Sequence, residues 1–142
     1  MFDTLQKLFT EMCASTMKNI NPVDVAQPGG HYSHGTVANG FVFVSGQLPI
    51  TPQGEKLVNA SFSVQVRQVL ANIAAILQAC DSSVAHLVQV RAYVEGMENW
   101  PEFNRIYAEW AGNSQPSRAV VPTSQLHYGL KVEVEAIAMQ GS

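Results

Sequence analysis

Lys131-Val132-Glu133-Val134-Glu135-Ala136-Ile137-Ala138 carries the alternation that decides the fold. Side chains alternate along a strand, so Lys131, Glu133, Glu135 and Ile137 fall on one face and Val132, Val134, Ala136 and Ala138 on the other. The second face asks for a core. The first holds two carboxylates about 7 Å apart by the strand rise, and like charges so placed disfavour each other's ionisation unless a cation or polar network lies near. Upstream, Gln115-Pro116-Ser117-Arg118-Ala119-Val120-Val121 reads as another strand on which burial is expected, and its Arg118 is the candidate cation.

Working back toward the N-terminus, Thr36-Val37-Ala38 and Phe41-Val42-Phe43-Val44-Ser45 flank Asn39-Gly40, a pair that tolerates positive φ and signals a hairpin. From Ser61 or Ser63 to Cys80, Val66, Val69, Leu70, Ile73, Ile76 and Leu77 keep helical spacing behind a serine cap. Val84 to Glu95 alternates, with Val88, Val90, Ala92 and Val94 on one face and Leu87, Gln89, Arg91 and Tyr93 on the other. Asn99 is placed to cap a second helix that has Pro101 in its first turn and Phe103, Ile106, Tyr107 and Trp110 as its apolar stripe, ended by Gly112. The order is β-β-α-β-α-β, one α+β domain. Phe2, Leu5, Leu8, Phe9, Met12 and Cys13 also keep helical spacing, so residues 1–25 read as a helical N-terminal extension and residues 26–142 as the domain.

A length of 142 residues suits a single domain. Eight Lys and Arg against eleven Asp and Glu, a net charge of −3, give no basic stripe for a phosphate backbone, so nucleic acid is not expected as the main partner. Cys13 and Cys80 are too few for a disulfide framework and form no C-x-x-C pair, which points to a reducing compartment and a cytoplasmic location. No apolar run reaches the length of a membrane span, and the first residues match neither a signal nor a transit peptide. His31 and His34 form an H-x-x-H on a glycine-flanked loop without the H-E-x-x-H pattern of a helical metal site, so no metal is expected.

Several segments together resemble the Rid family, also called the YjgF, YER057c and UK114 family. They are the Gly30 to Gly35 loop around Tyr32, Phe43-Val44-Ser45-Gly46-Gln47-Leu48-Pro49, Asn72-Ile73, Phe103-Asn104 with Tyr107, Pro116-Ser117-Arg118, and Val132 to Ala138. They run in the family's order from about Pro28 to Ala138. The resemblance implies a chorismate-mutase-like sheet with two helices on one face, a homotrimer with clefts between subunits, and no cofactor. Members that carry the arginine are deaminases hydrolysing reactive 2-imino and 2-enamino acids, such as 2-aminoacrylate, to 2-oxo acids and ammonia.

Imine hydrolysis needs a grip on the substrate carboxylate, and the guanidinium of Arg118 offers parallel donors that stay charged. It also needs a positioned water, and Glu133 matches the first acid of the family's paired-acid strand, a carboxylate suited to act as general base. The resemblance further implies that Tyr32 closes the pocket, that Ser45 and Gly46 mark a strand end where backbone approaches the ligand, and that Asn104 holds pocket geometry. Where many members carry cysteine two residues after the arginine, this chain has Val120, so a thiol role is absent and only a backbone contact remains for that position. Two alternatives stay open: a non-catalytic ligand-binding or chaperone-like trimer, and an endoribonuclease.

Overall fold

A computed structural model describes residues 2–15 and 17–141. In chain order the elements are α1 (Phe2–Ser15), β1 (Met17–Ile20), β2 (Gly35–Ala38), β3 (Phe41–Gln47), α2 (Phe62–Ala79), β4 (Leu87–Glu95), α3 (Trp100–Ala111), β5 (Ser117–Thr123) and β6 (Val132–Met139). The six strands form one sheet in the order β1-β2-β3-β6-β4-β5. All neighbours are antiparallel except β4 and β5, which are joined through α3 and run parallel.

The expected β-β-α-β-α-β order occupies β2 to β6, and β1 adds a strand in front of it. This strand, with Lys18 and Asn19 at its centre, shows no apolar alternation because it is an exposed edge that pairs only with β2. Asn39 and Gly40, at φ of 50° and 79°, turn β2 into β3. Ser61 Oγ accepts from Val64 N at 3.3 Å and caps α2. At α3, by contrast, Asn99 makes no side-chain cap; its amide donates to the Glu95 carbonyl at 2.8 Å, tying the helix start to the end of β4.

One face of the sheet is covered by α2 with α3 beside it, and the core lies between. Val42, Val69, Ile73, Ile76, Val90, Val132, Val134 and Phe103 are fully buried there. Burial of each such side chain contributes on the order of 1.5–3 kcal/mol. The face of β4 departs from simple alternation because the ladder to β6 slips between Leu87 and Gln89. This bulge turns Leu87 into the core and Val88 outward, at 39% exposure, where the sequence pattern alone puts Val88 inside. A second slip, between Val44 and Gln47 of β3, falls at Ser45-Gly46.

Among the described residues no helix packs on the opposite face of the sheet. Phe41 pairs with Met139 and Phe43 with Ile137, so these four side chains form a patch there, with Phe43 44% and Met139 50% exposed. Strand β5 is the other edge and is less buried than its sequence suggests, its residues alternating between exposed and half-buried. No helix among the described residues is long and apolar enough to cross a membrane.

Candidate active site

Glu133 and Glu135 both project from β6 onto the helix-free face, opposite Tyr93 and Arg91 of β4. The two carboxylates are treated very differently by their neighbours. Glu135 Oε1 accepts from the Tyr93 hydroxyl at 2.9 Å and from Arg91 Nη1 at 3.2 Å. The cation that accommodates the paired acids is therefore Arg91, the cross-strand neighbour, and not Arg118. The hydrogen bond to Glu135 in turn raises the pKa of Tyr93, since the phenol is donating to a carboxylate.

Glu133 has no such partners among the described residues and faces a cleft. Burial pushes its pKa above the ordinary carboxylate value, His127 opposes that shift, and Glu135 adds to it. The side chain lies against Gly46, where a Cβ would collide with its carboxylate. The slip in β3 creates this close approach: the extra residue at the bulge brings bare backbone toward the acid.

Around Glu133 the cleft has a volume of about 560 Å³ and is lined by Gly30, Tyr32, Ser45, Gly46, His127 and Tyr128. The loop bearing Tyr32 is fixed from below. Ser45 Oγ donates to the Ser33 carbonyl at 2.6 Å, Ser45 N to the His34 carbonyl at 2.9 Å, and His34 N to Asn21 Oδ1 at 2.9 Å. His34 itself is buried, with Nε2 2.6 Å from the Ala26 carbonyl and Nδ1 3.0 Å from the Gln47 amide. A carbonyl can only accept, so Nε2 carries the proton and Nδ1 accepts from Gln47. Tyr32 is 48% exposed above it, edge-on to the imidazole at 6.0 Å.

Arg118 stands elsewhere. Its partner on β4 is the buried Val90, so it projects to the helix face, where its guanidinium carbon lies 4.8 Å from the centroid of the Tyr107 ring of α3. Among the described residues it forms no ion pair, whereas Arg67, Arg91, Arg105 and Lys131 each do. The half-buried Val120 lies on the same face two residues on, and Asn104 sits one helical turn before Tyr107. Tyr32, Ser45, Gly46 and Glu133 are thus brought together within the chain, and Arg118, Val120 and Asn104 are not brought to them.

Sequence reasoning missed Arg91, Tyr93, His127 and Tyr128. The first two are ordinary members of an alternating strand until register places them opposite the acids. His127 and Tyr128 lie in the connection before β6; Tyr128-Gly129, both at positive φ (62° and 79°), marks a turn that leads straight into the acidic strand. Among the described residues no group of three or more His, Cys, Asp or Glu side chains is placed to hold a metal ion.

Residues 24–140 match the family described as endoribonuclease L-PSP. A RutC family protein of Pyrococcus horikoshii is 39% identical over 112 residues, which cover 79% of this chain and 89% of that protein. The crystal structure of yeast Mmf1 superposes with a TM-score of 0.85 at 32% identity, over 89% of this chain and all of that one. The structure of Escherichia coli TdcF with bound serine gives 0.81 at 29% identity, over 87% and 99%. The chain belongs to the Rid, or YjgF, family of α+β proteins.

Proposed function

We propose that the protein is a 2-imino and 2-enamino acid deaminase working as a homotrimer, with each site shared between neighbouring subunits. The observation that carries this reading is Glu133, a carboxylate pushed toward the protonated form by burial at the bottom of a cleft, a perturbation expected of an acid–base residue. Arg118 is its complement, a guanidinium without a carboxylate partner among the described residues, laid along an aromatic ring on an edge strand. The two lie on opposite faces of one sheet, and the apolar patch of Phe41, Phe43, Ile137 and Met139 is a surface for a neighbouring copy to cover; in this reading that copy's Arg118 completes the Glu133 cleft.

In this reading Arg118 of one subunit binds the substrate carboxylate and leaves the C=N carbon beside Glu133 of the next. Glu133 takes a proton from water as the oxygen attacks the carbon of the protonated imine, giving a neutral carbinolamine. The carboxyl passes that proton to the amino nitrogen; as the C–N bond breaks, the carboxylate takes the proton of the carbinolamine hydroxyl, the 2-oxo acid forms, and that proton goes to the departing ammonia, which leaves as ammonium and returns Glu133 to its base form. Tyr32 covers the mouth, Ser45 and Gly46 form the floor, and the backbone of Val120 lines the arginine side with Asn104 behind it. No cofactor takes part.

That TdcF has been solved with bound serine supports a cleft sized for a small amino-acid-like carboxylate. RNA cleavage, which the family description names, is the weaker reading because the cations are few and four of them are already in ion pairs. The test is ammonia release from imines made in place by an amino-acid oxidase. The purified protein should accelerate it and Arg118→Ala should abolish the acceleration. Equal rates with protein, variant and buffer would leave the non-catalytic ligand-binding trimer as the surviving alternative.

A further inference from the structure

Behind Tyr32 a second cavity of about 310 Å³ opens from the Glu133 cleft, the two sharing Gly29, Tyr32, Gly46, Leu48 and Tyr128 as a common wall. Val25, Ala26, Leu48 and Ile50 give it an apolar part, beside the polar side chains of Gln27, His34, Gln47 and Asn72. His34 and Gln47 bond each other, and Asn72 Nδ2 donates to the Leu48 and Ile50 carbonyls at 3.2 and 3.0 Å.

Among the described residues one formal charge lines this cavity, the exposed Lys56. Its Nζ lies 4.7 Å from the centroid of the Tyr128 ring, and among the described residues it has no carboxylate within ion-pair distance. Glu133 and Glu135 line the first cleft and not this one. A recess with an apolar wall of Val25, Ala26, Leu48 and Ile50 and a single unpaired ammonium on its lining matches a short methylene chain ending in an anion.

We propose that this recess is the side-chain subsite, and that it selects 2-imino dicarboxylic acids, whose chain carboxylate meets Lys56 while the 2-imino carbon stays over Glu133. The assignment rests on the deaminase reading for its activity consequences, but the recess can be tested by binding alone. Lys56 is a specificity residue here and takes no part in the proton transfers.

The experiment has two arms, each run on wild type, Lys56→Gln, and Lys18→Gln as a lysine outside the recess. In the first, calorimetry measures binding of 2-oxoglutarate against 2-oxohexanoate, an uncharged-chain counterpart of comparable length. In the second, kcat/KM is measured on the imines generated from glutamate and from norleucine. Wild type and Lys18→Gln should favour the dicarboxylate about fivefold in both arms, the scale of one partly exposed ion pair, and Lys56→Gln should abolish that preference. Equal or weaker binding of 2-oxoglutarate by wild type, or a preference that survives in Lys56→Gln, would overturn the proposal. If neither imine is hydrolysed faster than in buffer, the deaminase reading fails, while the binding arm still decides the recess.

Discussion

Arg118 and Glu133 occupy opposite faces of one sheet: across the ladders Arg118 pairs with buried Val90 of β4, and Glu133 pairs with Tyr93 three residues further along that strand. Their backbones are also two strand spacings apart, about 10 Å. Neither side-chain rotation nor loop movement brings them together within one chain, because each face is set by the pleat. A chemistry that needs both must draw them from two copies of the chain.

Gly46→Ala isolates the role of Glu133 without cutting it. The added Cβ would overlap the Glu133 carboxylate, the mobile end of a side chain, so the acid should move aside while the strand stays in place. Activity should fall roughly 10- to 100-fold for a displacement of this kind. Stability should change by less than about 1 kcal/mol, read from thermal and denaturant unfolding.

The pH dependence follows from the raised pKa of Glu133. The base form is needed for attack, so activity should rise with pH along a limb lying above the ordinary carboxylate value of 4.5. His127 holds the shift back; His127→Gln should therefore move that limb to still higher pH. A carboxyl whose folded pKa is raised favours folding at pH below its unfolded pKa and loses that contribution as pH climbs through the folded one. Glu133→Gln should accordingly melt above wild type at neutral pH, with the gap closing below pH 4.5.

Tyr107 separates ring from hydroxyl. Its Oη is buried with no hydrogen-bond partner among the described residues, and burial raises the pKa of the phenol despite the opposing Arg118. Tyr107→Phe should stabilise the fold by about 1 kcal/mol, since an unsatisfied polar group is removed, and should leave KM alone because the face under Arg118 remains. Tyr107→Leu removes that face. A cation–π contact of about 0.5–2 kcal/mol corresponds to a KM raised roughly 2- to 30-fold, with kcat less affected. The same KM for Phe and Leu would show that the ring does not position the guanidinium.

Much of this was legible in the residues. Alternation in Val132 to Ala138, the Asn39-Gly40 turn and the apolar stripe of α2 are local signals, and they returned the order of elements and the faces of β6. What escaped depends on non-local register. The strand Met17–Ile20 has no pattern of its own and exists because β2 offers an edge. The Leu87–Val88 inversion depends on a slip against β6, and the assignment of Arg91 to Glu135 depends on which residues β4 sets opposite β6. The split of the candidate site follows the same rule: Arg118 and Glu133 are each visible as unusual charges on strands, but the face each occupies is decided only when β5, β4 and β6 pair.

The sharing of each site is tested most directly by complementation between two inactive variants. Arg118→Ala and Glu133→Gln are each expected to be inactive as pure assemblies. In a cyclic assembly formed from equal amounts of both, sites that take Arg118 from one chain and Glu133 from its neighbour are intact in about one quarter of cases. Unfolding and refolding the mixture should therefore restore roughly a quarter of wild-type activity. A refolded mixture that forms mixed assemblies and stays as inactive as its parents would contradict the shared site.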